Sequence, residues 1–110
     1  MQIREERQND ILIFKVEGAL DSKTAPLLEG KVTEAIAKGA RQMILDFKDL
    51  EYISSAGLRV ILKTTKDIKR LEGKLVLCDL ADYVREVFEI SGFDTFLPIA
   101  VSCEDAKALF

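Results

Sequence analysis

The sequence predicts an α/β domain: a mixed central β-sheet of about four to five strands with about four helices. Three observations predict it. Short apolar runs at 11–16, 43–45 and 74–78 have the length and composition of buried strands. Between them lie longer stretches whose apolar residues recur at three- and four-residue spacing, as on one-faced helices. The two kinds of segment alternate along 110 residues, the size of one domain spanning 1–110. Alternation at this spacing calls for crossover connections.

Taken in order, residues 2–7 read as a strand charged enough for a sheet edge, and Asn9-Asp10 as a turn. Ile11 to Val16 is apolar on both faces, which suits a central strand covered on both sides, and Gly18 ends it. The charged first strand pairs antiparallel with the second, so the sheet is mixed. A helix follows, with Thr24 as its N-cap and Pro26 in its first turn. Leu28, Val32, Ala35 and Ile36 share its buried face. Gly30 inside that pattern costs about 1 kcal/mol against alanine, which predicts close packing there. Gly39 closes the helix.

Met43-Ile44-Leu45 is the next buried strand. Asp46 to Tyr52 reads as acidic and aromatic connection, and Ser54-Ser55-Ala56-Gly57 as a small-residue turn. A helix over 56–72 buries Leu58, Ile61, Leu62, Thr65 and Ile68, and Gly73 ends it. Residues 74–78 form a strand. Residues 79–91 form a helix with Val84, Val87 and Phe88 inward, closed by Gly92. A short strand over 95–99 carries Pro98, a residue of sheet edges. Ser102 caps a last helix in a Ser102-x-x-Asp105 start, with Glu104 adding favourable charge.

Composition excludes several functions. With 48% hydrophobic and 32% charged residues the chain is globular, and a net charge of −3 lacks the basic excess of a nucleic-acid binder. The opening Met-Gln-Ile-Arg-Glu-Glu-Arg has no apolar signal-peptide core. No apolar run approaches the roughly 20 residues that cross a bilayer. A cytoplasmic protein with no membrane partner is expected. There is no histidine, which removes Ser-His-Asp and Cys-His catalysis and His-ligated metals. There is no Gly-rich phosphate loop or P-loop lysine. The expectation is a non-enzyme without cofactor or metal. Cys78 and Cys103 lack metal-ligand spacing. Cys78, in an apolar run, reads as a small core residue. Cys103 lies near a helix start, where a thiol pKa can fall, but packing is the expected role of both.

The stretch with chemical consequence is Met43 to Leu62, a strand, a tight turn of small residues and a helix start. A helix N-terminus has unpaired backbone N–H groups and the positive end of a dipole, a place that favours phosphate. Ser54 and Ser55 sit where that field acts on a phosphate carried by the protein itself. On residue type alone the pair also serves as a plain helix cap, a job for one serine. Downstream, Arg59, Lys63, Lys66 and Arg70 fall on one helix face. That stripe is either a solvated face or a surface that steers an acidic partner.

The segment resembles the signature of the STAS domain family, the bacterial anti-sigma-factor antagonists, through Asp46, Leu50, Ile53, Ser54, Ser55, Ala56, Gly57 and Leu58. Gly18-x-Leu20-Asp21 resembles the family's first loop, and Ser102-x-Glu104-Asp105-Ala106 its last helix. On that match Ser55 takes the position of the serine that a partner kinase phosphorylates. Ser54 stands where the family usually has Asp. The resemblance implies a partner-binding surface of Asp21 and Ser22 from the first loop and Ser54, Ala56 and Gly57 from the serine turn, and the adjoining helix face adds Arg59, Lys63 and Lys66 to the expected surface by its spacing. Gly57, without a side chain, would let a partner approach closely. The implied function is an antagonist whose unphosphorylated form binds a serine-kinase anti-sigma factor and so releases a sigma factor. Phosphorylation at Ser55 would switch it off, and a serine phosphatase would reset it. The alternative the resemblance leaves open is an interaction subunit of a stress-sensing or lipid-transport assembly.

Overall fold

The computed structural model describes residues 1–95 and 97–110. The elements run β1 (Gln2–Gln8), β2 (Ile11–Leu20), α1 (Ala25–Ala37), β3 (Gln42–Asp46), β4 (Leu50–Ile53), α2 (Ser55–Arg70), β5 (Lys74–Cys78), α3 (Asp82–Ile90), a 3-10 turn (Phe93–Thr95), β6 (Ile99–Ala100) and α4 (Cys103–Lys107). The sheet order is β1-β2-β3-β5-β6, with β4 attached to β2 off that path. β1 runs antiparallel to β2 and every other pair is parallel, so the expected mixed α/β sheet is present. It has six strands rather than four to five, because β4 lies inside the stretch read as connection.

β2 explains where β4 comes from. Its residues Ile11 to Lys15 pair with β3, and Gly18 to Leu20 pair with β4, with a break in register between Gly18 and Ala19. Gly18 has φ +99°, a conformation open to glycine at little cost. Its N–H donates to Asp49 O at 3.0 Å. Gly18 therefore bends the strand, correcting the expectation that it ends it.

The pleat sends alternate side chains to opposite faces, and both faces of the central strands are apolar as expected. One face carries Leu12, Phe14, Met43, Leu45 and Leu77, packed under Leu28 and Val32 of α1, Ile61 and Ile68 of α2, and Phe88 of α3. The other carries Ile11, Ile13, Ile44, Val76 and Cys78, with Ala106 of α4 and Phe110 against them.

Four local expectations are corrected. In α2 the buried stripe is Gly57, Val60, Ile61, Thr64, Thr65 and Ile68, while Leu58 and Leu62 are half-buried. Thr64 and Thr65 go inside because their hydroxyls donate to Val60 O and Ile61 O at 2.8 Å each, which leaves no orphaned polar group. α3 starts at Asp82 rather than 79, since Asp79 sits at φ +57°, outside helical geometry. Gly30 is exposed with open space where a Cβ would lie, so close packing does not account for it. The strand expected at 95–99 is shorter and later: Thr95 closes the 3-10 turn, residue 96 lies outside the described residues, and β6 is Ile99–Ala100 at the sheet edge.

Candidate functional site

The serine turn joins β4 to α2. Ser54 is the N-cap, its backbone extended at φ −98° and ψ 174°, and its Oγ accepts from Gly57 N–H at 3.3 Å. Ser54 O accepts from Leu58 N–H at 3.0 Å, and Ser54 N–H donates to Leu20 O at 2.9 Å, closing the β2–β4 ladder. Both its side chain and its backbone are committed to the turn. Ser55 is the first helical residue, it is exposed, and no described hydrogen bond uses its hydroxyl. The first turn of α2 contains no acidic residue of its own to complement the dipole.

Gly57 is buried. A Cβ there would lie 2.8 Å from Leu20 Cγ, 3.0 Å from Ile53 Cγ1 and 3.0 Å from Leu20 O. The missing side chain lets α2 sit down on the ends of β2 and β4. The expectation that Gly57 opens the surface to a partner is corrected: its close approach is internal.

The preceding loop is rigidly bonded. Asp21 Oδ1 accepts from Lys23 N–H at 2.9 Å and Thr24 N–H at 3.1 Å, with Thr24 Oγ1 3.2 Å away. The Thr24 backbone bond first, then that of Lys23, holds the Asp21 carboxyl below its ordinary pKa. Thr24 occupies the N-cap position of α1, but its hydroxyl donates to Ala19 O at 2.7 Å and accepts from Asp21 N–H at 2.9 Å. It braces the loop instead of capping the helix. Asp21 is thus a structural residue of the turn that presents the exposed Ser22.

A shallow groove runs between α1 and α2. It brings together Ser22, Ala56, Arg59 and Lys63 of the expected surface, and adds Pro26, Glu29 and Val60, which sequence reasoning did not single out. Lys63 Nζ lies 3.2 Å from a Glu29 carboxylate oxygen across it. Arg59, Lys63, Lys66 and Arg70 are all exposed, so the stripe exists as a surface. Two of its members are engaged within the fold, Lys63 with Glu29 and Arg70 with Asp67 at 3.5 Å. Lys66, Asp21, Ser54 and Gly57 do not line the groove. Tyr52, half-exposed at 54%, stands two residues before the cap and went unread because β4 was unread.

Residues 2–106 match the family model described as the STAS domain. The chain belongs to the STAS domain family. Over all 110 residues it is 44% identical to BtrV of Bordetella bronchiseptica, which bears the provisional name of an anti-sigma factor antagonist; the match covers 100% of this chain and 95% of the relative. It is 31% identical over 100 residues to the anti-sigma F factor antagonist of Paenibacillus polymyxa, covering 90% of this chain and 86% of that one. The crystal structure of a Thermotoga maritima protein that bears the provisional name of an anti-sigma factor antagonist superposes with a TM-score of 0.94 at 23% identity, covering 97% of this chain and 92% of that chain, a likeness of fold. Among the described residues no helix is long and apolar enough to cross a membrane.

Proposed function

We propose that this STAS domain is an anti-sigma factor antagonist, a binding protein and not an enzyme, switched at Ser55. Its unphosphorylated form binds a serine-kinase anti-sigma factor through the groove between α1 and α2 and the adjoining serine turn, and so releases a sigma factor. The kinase transfers the γ-phosphoryl group of its own ATP to Ser55 Oγ, and a serine phosphatase removes it. The observation that carries the reading is the division of labour at the turn. Ser54 is consumed by capping, while Ser55 stands exposed at a helix start whose own first turn carries no acidic residue. A phosphate there adds about −1.5 to −2 of charge and three acceptor oxygens. The helix end accommodates that charge, so the phosphate acts outward, against the partner surface.

The deciding experiment incubates the protein with a serine-kinase anti-sigma factor from its own genome and ATP, followed by phosphopeptide mapping. A single phosphate on Ser55, absent from Ser55→Ala and retained in Ser54→Ala, supports the reading; a phosphate on Ser54, or none, sinks it. The role of the basic stripe has its own test. Lys63→Glu with Lys66→Glu should slow association with the kinase severalfold while the melting curve stays put. The loss should shrink as salt rises, because exposed charges act within a Debye length. Unchanged kinetics at low salt would make the stripe a solvated face.

A further inference from the structure

The sheet face opposite the three large helices holds a cluster that the switch does not use. Asp46 ends β3, Cys78 ends β5, and the two are partners in the parallel ladder with side chains on the same face. Cys103 is the first residue of α4, which lies across that face. One Asp46 carboxylate oxygen and the two Sγ atoms all lie within 4.8 Å of one another. Cys78 is fully buried and Asp46 is 7% exposed.

From this geometry we infer that Asp46, Cys78 and Cys103 form a binding site for a thiophilic divalent cation of the zinc class. Zn–S bonds of about 2.3 Å and Zn–O bonds of about 2.0 Å place tetrahedral ligand atoms about 3.5–3.8 Å apart, a contraction that side-chain rotation from the present spacing supplies. Two thiolates with one carboxylate are a donor set for zinc rather than for calcium or magnesium, which take oxygen ligands. Asp46 also lines a polar hollow with Arg4, Lys15, Glu17, Lys48 and Asp49, which gives its carboxylate contact with solvent. Asp46 is already oriented, since its Oδ1 accepts from Lys48 N–H at 3.0 Å. Binding as thiolates releases both thiol protons to solvent.

The pairing of packing roles expected for the two cysteines is compatible with the fold, so the test must see the metal itself. The full chain, kept reduced with a phosphine and stripped with a chelator, is titrated with Co²⁺ and then with Zn²⁺. The expected result is a thiolate-to-cobalt charge-transfer band that saturates at one equivalent and is bleached by one equivalent of Zn²⁺. Cys103→Ser, which leaves one thiolate, should diminish the band and weaken Co²⁺ binding, and Asp46→Asn should weaken it by about 10–100-fold, with metal-free melting curves recorded for each. No charge-transfer band in the wild-type protein overturns the site, whatever the variants do. Equal Co²⁺ affinity in wild type and Asp46→Asn also overturns it, because the carboxylate would then not be a ligand.

Discussion

Two helices of this domain begin in the same way and finish the job differently. Ser54 and Ser102 both sit at N-cap positions with extended backbones, and each Oγ accepts from the N–H three residues on, Gly57 in α2 and Asp105 in α4. In α4 the first turn also carries Glu104 and Asp105, so its dipole end is already supplied with negative charge. In α2 the first turn carries none, and its third residue is a buried glycine in place of an exposed aspartate. The α4 start is complete within itself. The α2 start is anchored by packing below and left without charge above, where Ser55 projects. Stability alone would favour the α4 solution, and the proposed phosphate on Ser55 would supply α2 with the charge that Glu104 and Asp105 supply to α4.

The largest test of that contrast is at the third residue. Gly57→Ala should cost about 1–3 kcal/mol, the range for overpacking, because the new Cβ meets Leu20 and Ile53. Asp105→Ala, at the matching exposed position, should change stability by less than about 0.5 kcal/mol beyond its lost charge. Urea unfolding of the two variants measures both, and a neutral Gly57→Ala would mean α2 is not seated as described.

Next in size is phosphorylation itself. Phospho-Ser55 should lower affinity for the kinase at least tenfold, about 1.4 kcal/mol, in a calorimetric titration. The same sample in a denaturant melt should be as stable as before or slightly more so. A large loss of stability would show that the phosphate works by disrupting the domain.

The caps come third. Ser54→Ala and Ser102→Ala should each cost about 1 kcal/mol. Only Ser54→Ala should alter the phosphorylation rate, by loosening the turn that presents Ser55. Smallest is the charge swap. Ser55→Asp gives α2 what α4 already has and should stabilise by roughly 0.3–1 kcal/mol, while Glu104→Gln with Asp105→Asn should lose a similar amount. Ser55→Asp should imitate the phosphate only partly in kinase binding, having less charge and fewer acceptors.

The contrast also shows what the sequence carried. The strands at 11–16, 43–45 and 74–78 and the helix after the serine turn were legible because apolar spacing reports burial on a regular element. β4 was not legible: Leu50 and Ile53 are buried but Glu51 and Tyr52 are both exposed, so period-two alternation is missing. Its existence depends on the bend at Gly18, a long-range event. Ser54 as cap was readable from residue type, and the family signature pointed to Ser55. The reason for Gly57 was misread because only the packed structure shows Leu20 beneath it. Glu29 and Pro26 joined the groove unannounced, since nothing in a single helix says which neighbour it will face. Cys78 and Cys103 are brought together by α4 crossing the sheet, which spacing along the chain conceals.

The bend in β2 has a kinetic consequence. β3 is flanked by β2 and β5, so lifting it out breaks two ladders, whereas β4 is attached to β2 alone. The β4 strand therefore has one ladder to lose where β3 has two, and the sub-global openings that native proteins undergo are expected to reach it before β3. Amide hydrogen exchange should register this: Ser54 N–H, held by Leu20 O, should exchange faster than the amide of Ile44 in the middle of the sheet.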